Sequence, residues 1–188
     1  MFTYETHVLP FKNQYKKIIV PEPKIKRIKE FVSELIKIKE KESHHSIDNR
    51  SHFKRYYTGT LGEAALEEYL EVDNIIDWTI GNSNHYHKPD LSNIGVKAGI
   101  KTVEYGLFPV IFKNSYSSEV IMIKVSDNHI VLCGLATKNI LNSYQSDELI
   151  KDSYLRQRGT KTGFYGFEYL KTFSKLDELR KMSPIKNK

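Results

Sequence analysis

Apolar residues recur at helical spacing from Lys24 to Glu42, where Ile25, Ile28, Phe31, Val32, Leu35, Ile36 and Ile38 fall largely on one face. Lysines and glutamates fill the other face, with Glu30 and Glu34 placed to pair with lysines one turn on. A second helix is predicted from Thr58 or Thr60 through Leu70. Thr60 and Glu63 have capping-box spacing, and Gly62 and Ala65 let this helix approach a sheet closely. Ile75 to Ile80 reads as a strand ended by Gly81-Asn82-Ser83-Asn84. A strand near Pro89-Asp90-Leu91, a turn at Ser92-Asn93 and a strand from Gly95 to Thr102 follow. Pro109 predicts an edge for the extended run 108–113. Glu119 to Val125 and His129 to Leu132 form a hairpin about Ser126-Asp127-Asn128, and their near-continuous apolar runs predict a sheet covered on both faces. Thr137 to Leu141 begins a short helix or turn. Residues 155–167, rich in basic, glycine and aromatic residues, read as a loop. Ser174 caps a last helix from Lys175 to Met182.

The first 23 residues are irregular, punctuated by Pro10, Pro21 and Pro23, with a short strand at Lys16 to Val20. No repeat or linker divides the remainder, so the expectation is one domain over 1–188 with a core at about 24–182. The fold class is α/β, a central mixed β-sheet flanked by helices.

The chain's 188 residues allow a full hydrophobic core. The net charge of +6 permits a polyanionic partner without demanding one. The single cysteine, Cys133, excludes an internal disulfide framework and, inside an apolar strand pattern, reads as a core residue. The opening residues predict no signal peptide, and no run approaches a membrane span. The expected location is therefore cytoplasmic, with no membrane partner.

Chemistry concentrates around residues 84–102. His85-x-His87-x-x-Asp90 offers alternate residues to a zinc ion, but no further ligand is well placed and the reading is the weaker one. Phe53-Lys54-Arg55-Tyr56-Tyr57 interleaves basic and aromatic residues, as a nucleic-acid contact does. The same holds for the segment carrying Arg156, Arg158 and Lys161. Lys54, Arg55, Tyr57, His85, His87, Arg156, Arg158 and Lys161 are the candidate contacts.

Gly62-Glu63-Ala64-Ala65, then Pro89-Asp90, then a turn and Gly95-Val96-Lys97 together resemble the PD-(D/E)XK nuclease superfamily, over roughly residues 58–135. The resemblance implies a restriction-endonuclease-like fold and a magnesium-dependent endonuclease, manganese serving as substitute. Glu63 matches the helical glutamate and Asp90 the metal-binding aspartate. Lys97 matches the lysine, ahead of Lys101 because it is nearer the turn. The implied partner is double-stranded DNA. The implied source is a phage or mobile element, which would put the protein in a host's cytoplasm, and a homodimer would cut both strands. The pattern departs at the second acid, which belongs two residues before the lysine. Gly95 stands there for Lys97, and Gly99 for Lys101. Glu63, Glu67 or Glu104 are the candidates to replace it, with Glu104 a possible metal ligand. The alternative is a non-catalytic DNA-binding protein on the same fold, with a decayed metal site.

Overall fold

The computed structural model describes residues 1–39, 52–79 and 89–185. The predicted strand end at 81–84, both histidines of the zinc reading and the polar segment 43–51 lie outside them.

The architecture is α/β, built on a mixed four-stranded sheet. Its strands are β1 (Lys16–Ile19), β2 (Ala98–Glu104), β4 (Ser118–Lys124) and β5 (His129–Ala136), in the order β1-β5-β4-β2. β5 runs antiparallel to β1 and β4, and β2 runs parallel to β4. A second sheet holds β3 (Val110–Phe112), β6 (Gln145–Ser146) and β7 (Lys161–Phe164), in the order β3-β7-β6. The proline-marked run 108–113 thus supplies an edge strand, as its sequence predicts, but of this second sheet. Segment 155–167, predicted to be a loop, contains the end of a short helix α5 (Ser153–Gln157) and the whole of β7.

Burial on both faces explains the apolar runs. On one face, helices α2 (Glu22–Lys39) and α3 (His52–Leu70) cover a core that includes Ile25, Ile28, Leu61, Leu66, Ala98, Val120 and Met122. The intervening residues Ile121 and Ile123 enter a second core with Val103, Cys133, Phe164 and Phe167. This alternation splits one apolar run between two cores. Small helices complete the chain: α1 (Tyr4–His7), α4 (Lys138–Ser143), capped by Thr137, and α6 (Leu176–Met182). No helix among the described residues is long and apolar enough to cross a membrane.

α3 begins well before the predicted caps. Phe53 stacks on Tyr57, with ring centroids 5.6 Å apart, across one helical turn. Thr58 and Thr60 are therefore buried helix-interior residues, and the capping box does not form. Further along, a Cβ on Gly62 would lie 1.7 Å from Thr102 Oγ1, so only glycine lets α3 lie this close to β2.

Two predicted strands are absent among the described residues. Ile75 and Ile76 are buried, but their amides donate to Glu67 Oε1 at 2.9 and 3.0 Å. A side chain has taken the hydrogen bonds that a ladder would need. Asp90 opens a 3-10 turn over Asp90–Ile94 rather than following a strand. Gly95 closes that turn with φ 81°, a left-handed conformation that glycine adopts freely. At the other end of the chain, Ser174 precedes α6 without being its N-cap, and its amide donates to Glu178 Oε2 at 2.7 Å.

Candidate functional site

β2 is an edge strand, and the candidate chemistry gathers at its start. Pro89 holds extended backbone (φ −60°, ψ 140°) and delivers Asp90 beside it. Asp90 Oδ2 accepts the Ile100 amide at 2.7 Å, which anchors the carboxylate to β2. The flanking strand contributes Glu119, which no sequence motif marks. Gly99 of β2 stands opposite Glu119 of β4 in the parallel register. A Cβ built on Gly99 would lie 2.5 Å from Glu119 Oε2 and 3.2 Å from Asp90 Oδ2. Two carboxylate oxygens therefore converge on the space that a residue-99 side chain would fill. The glycine is what admits Glu119 there.

The two glycines in question thus have different explanations. Gly95 is a turn residue. Gly99 sits two residues before Lys101, and Glu119 of the neighbouring strand brings a carboxyl to it.

Electrostatics tie this cluster together. Burial raises the pKa of Asp90, opposed by the Ile100 amide and by Lys101. The residue is surface-exposed as a whole, yet protein crowds its carboxyl group closely enough for burial to dominate. Burial likewise raises Glu119, with Lys101 and Lys161 opposing and Asp90 adding to the rise. Glu63, on α3, is pushed up to about 8 by burial, then by the charges of Asp90, Glu67 and Asp77. The charge of Asp90 raises both Glu63 and Glu119, which favours a proton or a cation beside it. Lys101 is the lysine whose charge both Asp90 and Glu119 feel.

Lys97, the lysine preferred on sequence, is exposed ahead of β2, with its amide donating to the Ser183 carbonyl at 2.8 Å. Glu104 lies at the far end of β2, where strand alternation turns it to the face opposite Gly99 and Lys101. It accepts from Thr58 Oγ1 at 2.7 Å and lies 3.5 Å from Lys124 Nζ, so it is a structural acid. Glu67 is committed too, to Lys24 at 2.9 Å and the two amides described above. Neither replaces the missing acid.

A cleft of about 820 Å³ runs along the β2 edge from Lys101, between the start of α3 and β7. Lys54 and Arg55 line it from α3, and Lys161 from β7. Tyr57 is buried, with its hydroxyl donating to the Asp127 carbonyl, so it offers no surface to a ligand. Arg156 donates to the Ile150 carbonyl, and Arg158 packs 5.9 Å from the centre of the Tyr154 ring.

Among the described residues, no group of three or more histidines, cysteines, aspartates or glutamates is placed to hold a metal ion. The donors present still suit one kind of ion. Magnesium characteristically takes one or two carboxylates and completes its shell with water and substrate phosphate. Asp90 and Glu119 are such a pair, and Lys101 beside them suits an anionic ligand. The chain matches no protein-family model, and no curated protein or solved structure matches it.

Proposed function

We propose that this protein is a magnesium-dependent endonuclease of restriction-endonuclease-like fold, hydrolysing phosphodiester bonds in double-stranded DNA. The single observation that carries the reading is the convergence of Asp90 and Glu119 on the space above Gly99, with Lys101 two residues further along the same strand. It offers a carboxylate for the register of Lys101, where Gly99 leaves the acid position empty, and so supports the enzyme over the decayed site that the gap at Gly95 suggests.

Asp90 and Glu119 would hold the divalent cation, and Glu63, on α3, lies near enough to feel the charge of Asp90. The bound cation supplies Lewis-acid stabilisation of charge on the phosphate oxygens and a more acidic water. The Lys101 ammonium orients the attacking water or balances negative charge growing on the scissile phosphate. The Ile100 amide keeps Asp90 from rotating away. The cleft lined by Lys54, Arg55 and Lys161 receives the sugar–phosphate backbone. One such site cuts one strand, so a double-strand break calls for a homodimer.

Plasmid cleavage with magnesium, with manganese and with EDTA tests the reading, using wild type and Asp90→Ala. Metal-dependent nicking abolished by the substitution is the expected result. Cleavage that survives both EDTA and Asp90→Ala would overturn the metal site. Salt-sensitive DNA binding without cleavage under any metal would replace the enzyme with a DNA-binding protein.

A further inference from the structure

Lys161 reaches the carboxylate cluster from outside the four-stranded sheet. It is the first residue of β7, paired in register with Phe112 of β3. Its ammonium lies 3.0 Å from the centre of the Phe112 ring, a cation–π contact that fixes the end of a long side chain. It lines the same cleft as Lys101, and its charge acts on both Lys101 and Glu119. Both lysines are half-buried. Neither takes part in the ion pairs found among the described residues. Two ammonium groups held near each other repel and burial adds a desolvation cost, which the charge of Glu119 only partly offsets at Lys161. Here burial and Lys101 bring the Lys161 ammonium down to about 8. An anion between the lysines relieves both costs.

We propose that Lys161 is a second phosphate-binding lysine of this site, gripping a backbone phosphate of the nucleic acid together with Lys101. The second sheet thereby acts as a jaw: β3 supplies the aromatic rest, β7 the cation, and the start of β2 the opposing lysine. The assignment rests on the nuclease reading for its ligand, a phosphodiester chain, and on the geometry for its residue.

The test is binding of a DNA duplex in EDTA, where no cleavage intervenes, as a function of salt. Lys161→Met keeps an unbranched stem of similar length and removes the charge, while Lys161→Arg keeps the charge. Loss of one phosphate contact should weaken binding by about tenfold at low salt and reduce the log–log salt slope by about one. Lys161→Arg should keep the wild-type slope. A merely structural stem would leave the slope unchanged in both variants. Thermal melting confirms folding, and Lys161→Gln repeats the measurement if Lys161→Met does not melt cooperatively. Wild-type affinity and slope in the charge-removing variant would overturn the assignment. If Asp90→Ala still abolished cleavage, the nuclease reading would survive that result. Conversely, a reduced slope in a protein that no metal activates would retain the phosphate contact and sink the nuclease. A wild type that binds no DNA would sink both.

Discussion

Glu63 and Glu67 stand one turn apart on α3, and their surroundings differ in kind. Glu67 is enclosed and satisfied: Lys24 reaches one oxygen, and the Ile75 and Ile76 amides donate to the other. Glu63 is half-buried, accepts no hydrogen bond among the described residues, and faces the like charge of Asp90. The first arrangement ties α2, α3 and the following segment together. The second holds a carboxyl against a neighbouring like charge, and burial favours its protonated form. A carboxylate whose environment is complete serves the fold. One held at raised pKa beside Asp90 is a candidate for ligand binding.

Substitutions should separate the two groups. The largest effect falls on cleavage: Asp90→Ala or Glu119→Ala should each reduce the single-turnover rate about a thousandfold or more, by removing charge needed at the phosphate, with little change in thermal melting. Glu67→Ala should do the reverse. It strands two buried amides and leaves Lys24 with Glu68 alone, and should cost roughly 3 kcal/mol in denaturant unfolding. Any remaining folded protein should still cut. Lys101→Ala should slow cleavage about a hundredfold.

Glu63→Gln sharpens the comparison through pH. The folded Glu63 carboxyl titrates near 8, well above its ordinary value of 4.5. Between those values the folded chain holds a proton that the unfolded chain has released. Stability from this group is thus fully present below 4.5 and drains away as pH rises toward 8. Without metal, Glu63→Gln should melt higher than wild type at pH 8, by on the order of 2 kcal/mol, with the gap closing toward pH 5. A gap independent of pH would contradict it. The smallest effect belongs to Lys97→Ala, which should stay within about threefold of wild-type cleavage, as a solvent-exposed lysine does.

Much of the fold was legible in the chain. Helical spacing located α2 and the body of α3, and the paired apolar runs located β4 and β5. The Gly62 approach to a sheet was readable from residue size alone. Ile75 and Ile76 misled because an apolar pair can plug a core while a side chain, here from Glu67, takes its backbone hydrogen bonds. The second sheet was obscured because β7 is short, contains Gly163 and follows a basic segment that reads as loop. Of the site, Glu63 and Asp90 stood out on their motifs, and Lys101 was kept as the lesser lysine. Glu119 was not legible, because parallel pairing brings together residues 20 positions apart and leaves no local pattern. One trace of it was present: an acid at the start of an otherwise apolar strand, where nothing nearby in sequence could pair with it.

In the proposed site Glu119 occupies, from the neighbouring strand, the space that a residue-99 carboxylate would fill. The direct test moves the acid back. Gly99→Glu alone should be inactive and less stable, since its side chain collides with Glu119. Glu119→Ala alone should be inactive. The double variant Gly99→Glu/Glu119→Ala should recover magnesium-dependent cleavage to at least about tenfold above either single variant, a coupling that only neighbouring residues show. A double variant no more active than Glu119→Ala, though as stable as wild type, would contradict the account.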